Sequence, residues 1–223
     1  MRRYLFPAIL GLVGVAILLS LGFWQLRRLE WKEALLAGIE AGIAAPAQPL
    51  PAAPEPSQKY LPVTVSGRTL GPELLVLGGN RETGGGYLVI SALETDDGRR
   101  IMVQRGFIPE DARKTPRPPV ALAIEGNLHW PDETSSATPK PNLAENIWFA
   151  RDVPAMAAAL DTEPVLVVAR TIEGDLQGIA PVPVSVTGIP NNHLEYAITW
   201  FMLAVVWAGM TAYLTARIRS RSF

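Results

Sequence analysis

Two stretches of this chain carry no charged side chain, one of 23 residues from Tyr4 to Leu26 and one of 21 residues from Tyr196 to Ala216. About 20 apolar residues let a helix cross the roughly 30 Å hydrocarbon core of a bilayer. Core helices of soluble proteins are shorter and keep a polar stripe. The two runs therefore predict transmembrane helices over 4–26 and 193–215, one near each end of the chain. A cleaved signal peptide is the rival for the first run, since Arg2 and Arg3 precede it. Its apolar part, however, exceeds the roughly 7–15 residues of a signal h-region, and no A-x-A-like site closes it. The run continues into Gly22-Phe23-Trp24-Gln25-Leu26-Arg27-Arg28, which reads as interfacial aromatics on a helix that goes on.

Basic residues flank the outer ends of both runs. Arg2 and Arg3 precede the first, and Arg217, Arg219 and Arg221 follow the second with no acid among them. By the positive-inside rule residues 1–3 and the basic tail 216–223 are expected in the cytoplasm and the intervening domain in the periplasm. Arg27 and Arg28 argue the other way, but a long following domain is translocated largely regardless of charge. The chain has 20 basic and 21 acidic residues. Without the five terminal arginines and Glu195, the remainder holds 15 against 20, a net charge of −5. That balance excludes an electrostatic nucleic-acid footprint. Cysteine is absent, which excludes disulfides, thiolate metal sites and cysteine nucleophiles. No Arg- and Ser-rich presequence precedes the first run, so a bacterial inner-membrane protein is expected.

Between the spans the pattern changes period. Over 24–44, Leu26, Leu29, Leu35, Leu36, Ile39 and Ile43 recur at helical spacing among charged residues, so the first helix is expected to continue as an amphipathic one. Five prolines within 46–56 then predict an extended linker, giving 27–57 as helix plus linker. Short strand-like runs follow in a domain over 58–190. They are Val63 to Leu70, Leu74 to Leu77, Tyr87 to Leu93, Arg100 to Ile108, Ala121 to Leu128, Val165 to Ile172, and the alternating Val182, Val184 and Val186. Gly84-Gly85-Gly86 and Asp96-Asp97-Gly98 read as turns. Asp152 is placed to cap a short helix with Pro154 in its first turn and Ala155 to Leu160 completing it. The fold class is thus α+β: two terminal transmembrane helices flanking a small, mostly antiparallel β-barrel or sandwich with one short helix.

Catalytic machinery is sparse. The two histidines are His129 and His193, and neither stands in a G-x-S-x-G or H-E-x-x-H context. His129 follows a strand beside Trp130-Pro131 and reads as a solvated loop residue. The glycines at 84–86 lack the following Lys-Ser/Thr of a phosphate-binding loop. The informative segment is Ile189-Pro190-Asn191-Asn192-His193-Leu194-Glu195-Tyr196-Ala197-Ile198-Thr199-Trp200-Phe201, which enters the second span. One reading is structural: Asn192 and Glu195 form a capping box, with His193, Tyr196 and Trp200 in the interfacial belt. The other is chemical. Positions 193, 196, 200, 204 and 207 step by 3, 4, 4 and 3 and share a helix face. That face offers an imidazole, the commonest axial ligand of haem iron, above an aromatic surface in which Ala204 leaves room for a flat macrocycle. Gly11, Gly14 and Gly22 allow close approach of a second helix.

Several segments, in order, resemble the surfeit locus protein 1 family of cytochrome c oxidase assembly factors. They are Leu21 to Arg28 with Glu30-Trp31-Lys32, Pro62 to Gly67, Gly85 to Val89, Val103 to Pro109, Asn146 to Asp152, and Pro190 to Phe201. Together they span nearly the whole chain. Gln104-Arg105-Gly106-Phe107 departs from the family's usual Asn-Arg-Gly-Trp, and His129 stands where a basic residue is expected. The resemblance implies a membrane chaperone, not an enzyme, that helps to place haem a into subunit I of the oxidase, with haem a synthase as a further partner. It implies His193 as the axial iron ligand, with Tyr196, Trp200 and Trp24 as pocket walls. Arg27 and Arg28 would pair with haem propionates or snorkel to the lipid interface. A scaffold that stabilises an oxidase subunit without binding haem is the alternative reading.

Overall fold

The computed structural model describes residues 5–80, 84–187 and 189–220. The chain divides into two compact units, Met1–Gly38 with Val186–Phe223, and Ile39–Ser185.

The first unit is a helix pair. Helix α1 runs Leu5–Ala44, and the last helix, α3, runs His193–Ser220. Both contain windows apolar and long enough to cross a membrane. Within this unit the described residues that are fully buried are Gly11, Gly22, Ala197 and Ala204. The seam is therefore built from small residues, which lets two backbones approach where lipid supplies no hydrophobic drive for association. A Cβ on Gly11 would lie 2.0 Å from Thr211 Cγ2, one on Gly14 2.3 Å from Trp207 Nε1, and one on Gly22 2.5 Å from Phe201 Cε1. These pairs set an antiparallel register, closed by the edge-to-face contact of Phe23 and Phe201 at 5.3 Å. Large side chains point outward: Phe6 is 74%, Leu12 72% and Val205 68% exposed.

The second unit is a barrel. Its strands are β1 (Gln48–Pro49), β2 (Pro62–Asn80), β3 (Gly84–Thr95), β4 (Arg100–Pro109), β5 (Ala121–Leu128), β6 (Ile147–Trp148) and β7 (Leu166–Gly174), with the short helix α2 (Val153–Leu160) between β6 and β7. The pairing order β2-β3-β4-β7-β5 closes because β5 also pairs with the first half of β2, Pro62 opposite Asn127 through Arg68 opposite Ala121. Closure removes free edges, and it decides for the barrel over the sandwich. All ring pairings are antiparallel except β4 with β7. Val63, Val65, Ile101, Val103, Ile124 and Val167 belong to one buried cluster. The alternate residues Met102, Ile90 and Leu166 form another, against Val153, Met156 and Leu160 of α2. Each such side chain contributes about 1.5–3 kcal/mol by leaving water.

Four expectations about the backbone need correction. The two runs over 63–70 and 74–77 are one strand, β2, whose register shifts between Thr69 and Glu73 at Gly71, where φ is +89°. Valines 182, 184 and 186 form no strand, since Pro181 and Pro183 lack the N–H donors a ladder needs; the segment makes one isolated bridge, Ala180 with Phe107. The proline-rich stretch is extended, as read, but it is docked rather than free. Gln48 and Pro49 pair with Val63 and Thr64, and Arg99 donates to Pro51 O at 2.8 Å while pairing with Glu163 at 2.7 Å. Two segments form as read. Asp152 caps α2 by accepting from Ala155 N at 3.1 Å, and the turn at Asp96-Asp97-Gly98 joins β3 to β4 with Gly98 at φ +84°. The glycines read as a turn at 84–86 begin β3, and residues 81–83 before them lie outside the described residues.

Candidate functional site

Helix α3 starts at His193, with Tyr196 N donating to Asn192 O at 3.1 Å as its first helical hydrogen bond. This puts Asn192 at the N-cap position read from the sequence. His193 is half-buried, and its Nδ1 lies 2.7 Å from Oε1 of Gln25 on α1. A carboxamide oxygen has no hydrogen to give, so Nδ1 is the donor. In the neutral ring the lone pair then sits on Nε2, which is the nitrogen able to bind a metal. Gln25 lies one turn beyond the buried Gly22 on the same face of α1. Nearby, Lys32 Nζ donates to Pro190 O, and the Arg28 guanidinium stacks over the Trp31 ring at 4.3 Å.

The face over 193, 196, 200, 204 and 207 is not a single open surface. Ala204 is 2% exposed, at a level between the Gly14–Trp207 and Gly22–Phe201 contacts. The space it leaves is taken by α1, so no macrocycle lies against it. Trp207 turns its indole to α1 and donates Nε1–H to Gly11 O at 3.2 Å, which explains a tryptophan too deep for the interfacial belt. Tyr196 is 55% exposed and Trp24 52%, while Trp200 is half-buried. The structure therefore brings His193 to Gln25 and leaves Tyr196 and Trp24 on the outward surface. As a donor set the site fits an axial haem ligand: one imidazole with its metal-binding nitrogen selected, one turn before Tyr196 on α3, with Trp24 next to Gln25 midway along α1. Gln25 is the member that reading the residues one by one misses. A polar side chain in a charge-free run was the available signal, because such a group needs a partner inside a membrane.

The second histidine departs from expectation. His129 is 9% exposed, not solvated, with its ring 5.5 Å from that of Tyr60. Burial, reinforced by the positive charges of Arg151 and Lys59, pushes its pKa down to about 4. Its Nδ1 has no hydrogen-bond partner among the described residues. A ring held neutral in this way is part of the barrel's packing. Arg105 is likewise interior, 1% exposed, donating to Gln177 Oε1 at 3.0 Å and to the carbonyls of Asp175 and Leu176. The next residue, Gly106, has φ +144°, and a Cβ there would lie 2.0 Å from Ala180 O. Among the described residues no group of three or more His, Asp or Glu could hold a bare metal ion.

The sequence model of the SURF1 family matches residues 12–205, which take in the barrel, most of α1 and the first part of α3. The chain is 30% identical over 208 residues to a SURF1-like protein of Rickettsia felis, covering 87% of this chain and 90% of that one. It is 30% identical over 224 residues to surfeit locus protein 1 of Homo sapiens, covering 87% and 71%, and 28% identical over 225 residues to the protein of that name from Rattus norvegicus, covering 89% and 71%.

Proposed function

This chain belongs to the SURF1 family, and on that premise we propose that it is a membrane-anchored assembly factor for cytochrome c oxidase that binds haem a through His193 and helps its insertion into subunit I. The single observation that carries the haem reading is the His193–Gln25 contact at 2.7 Å, which leaves Nε2 as the ligating nitrogen. Bound haem a would supply an iron centre open to ligand exchange. What the chain's own residues do is narrower. His193 offers one bond to the iron, Tyr196 and Trp24 offer outward aromatic surface to the ring, and Trp200 lines the start of the span. A single protein ligand beside exposed surface suits transfer, since one bond holds the cargo and one exchange releases it. Arg28 is engaged with Trp31, so Arg27 is the freer of the two arginines for a propionate.

In this reading the termini face the cytoplasm and the barrel the periplasm of a bacterial inner membrane, with lipid around the outward faces of both helices. Haem a synthase is the source of the cargo and subunit I its destination. No catalytic step is assigned to the chain. Arg105, Gly106 and Phe107 are interior, so substituting them would report on folding of the barrel.

The test is the visible spectrum of the full chain purified from membranes containing active haem a synthase, beside His193→Ala. A haem a band present in the native protein and absent in the variant is expected, with both inserted equally. Equal haem bands in the two would sink His193 as the ligand, and no band in either would favour the scaffold.

A further inference from the structure

We infer that Gln25 is the positioning residue of the haem site: by accepting the Nδ1–H of His193 it selects the ring tautomer, sets the ring's orientation and tunes its basicity toward iron. This rests on the reading of His193 as the ligand. Three observations carry it. The oxygen–nitrogen distance is 2.7 Å, short for a neutral hydrogen bond and reaching across two helices 168 residues apart in sequence. Both residues are half-buried beside the seam, so water competes poorly for the bond. The register of the pair is fixed from the other side by Gly22 against Phe201, which leaves little freedom for the helices to slide.

A metal-binding histidine generally donates its second nitrogen to an oxygen acceptor, and loss of that acceptor costs roughly 10–100-fold in affinity. An isolated neutral imidazole exchanges its proton between the two nitrogens. Gln25 removes that freedom before the iron arrives. A glutamine acceptor is weaker than a carboxylate, so it leaves the imidazole a moderate donor. That matches a protein that must later give the iron up.

The test compares Gln25→Leu, Gln25→Glu and His193→Ala in the full chain in detergent micelles. Haem a is titrated in, and the iron–histidine stretching frequency and the reduction midpoint are recorded beside the thermal midpoint of the protein. Gln25→Leu, close to isosteric, is expected to weaken haem binding at least about tenfold with no loss of thermal stability. Gln25→Glu is expected to retain binding, raise the stretching frequency and shift the midpoint negative, since a carboxylate makes the imidazole a stronger donor. Native affinity and spectrum in Gln25→Leu, with binding lost in His193→Ala, would overturn the role of Gln25 alone. Equal loss in Gln25→Leu and Gln25→Glu would make Gln25 a packing residue and overturn it too. Binding retained in His193→Ala would instead remove the ligand reading on which the inference stands.

Discussion

The helix pair buries Gly11, Gly22, Ala197 and Ala204 and turns its phenylalanines and leucines outward. The barrel buries isoleucine, valine and methionine and also encloses Arg105 and His129, two side chains that water would hold better. Surrounding solvent accounts for the contrast. Lipid is as apolar as leucine, so burying large side chains there gains nothing, and association depends on close packing and a few hydrogen bonds. Water rewards apolar burial, and the surplus gained over a closed barrel offsets a few enclosed polar groups, provided most of their donors are met. A substitution should therefore act by opposite rules in the two units.

The largest effect is expected at Gly106 in the barrel. Gly106→Ala puts a methyl group onto the Ala180 carbonyl at a positive φ, and should cost about 3 kcal/mol or more. Loss of the barrel's cooperative thermal transition, with the helix pair still crosslinkable through introduced cysteines, checks it. Next is His129. Its folded pKa of about 4 lies below the unfolded value of about 6.5, so the unfolded chain takes up a proton that the folded chain refuses. Stability should fall as pH drops from about 6.5 to about 4, by about 3 kcal/mol in all. His129→Phe should remove that part of the slope in denaturation midpoints measured across the window; an unchanged slope would assign it elsewhere.

A substitution in the seam sharpens the contrast from the other side. Gly14→Leu overfills the space held by the Trp207 indole and should cost about 1–3 kcal/mol of helix association. Crosslinking between the two spans should drop while the barrel's thermal midpoint stays put. A common drop in both would show that the units are coupled. The smallest effect is expected at Asp152→Ala, which removes the α2 cap and should cost about 1 kcal/mol of barrel stability.

Local signals carried much of this molecule. Long charge-free runs, the Asp152 cap, the Asp96-Asp97-Gly98 turn and the strands over 100–109 and 121–128 were legible because each depends on a period or a turn residue within a few positions. Valines 182, 184 and 186 show where such signals mislead: the alternation was real, but neighbouring prolines had removed the ladder donors. The docked proline stretch shows another limit, since composition indicates an extended backbone without saying what it pairs with.

In the site, the sequence by itself determined that an imidazole opens the second helix and that small residues line the first. Helical period and hydropathy are properties of consecutive residues, so no fold is needed to see them. Only the tertiary structure decided that β5 returns to close the barrel on β2, that His129 is sealed inside, that Ala204 faces a helix instead of open space, and that Gln25 meets His193 across 168 residues. Those outcomes depend on which segments share one register once the chain is packed. Pairwise distance between remote residues is not encoded in any local spacing.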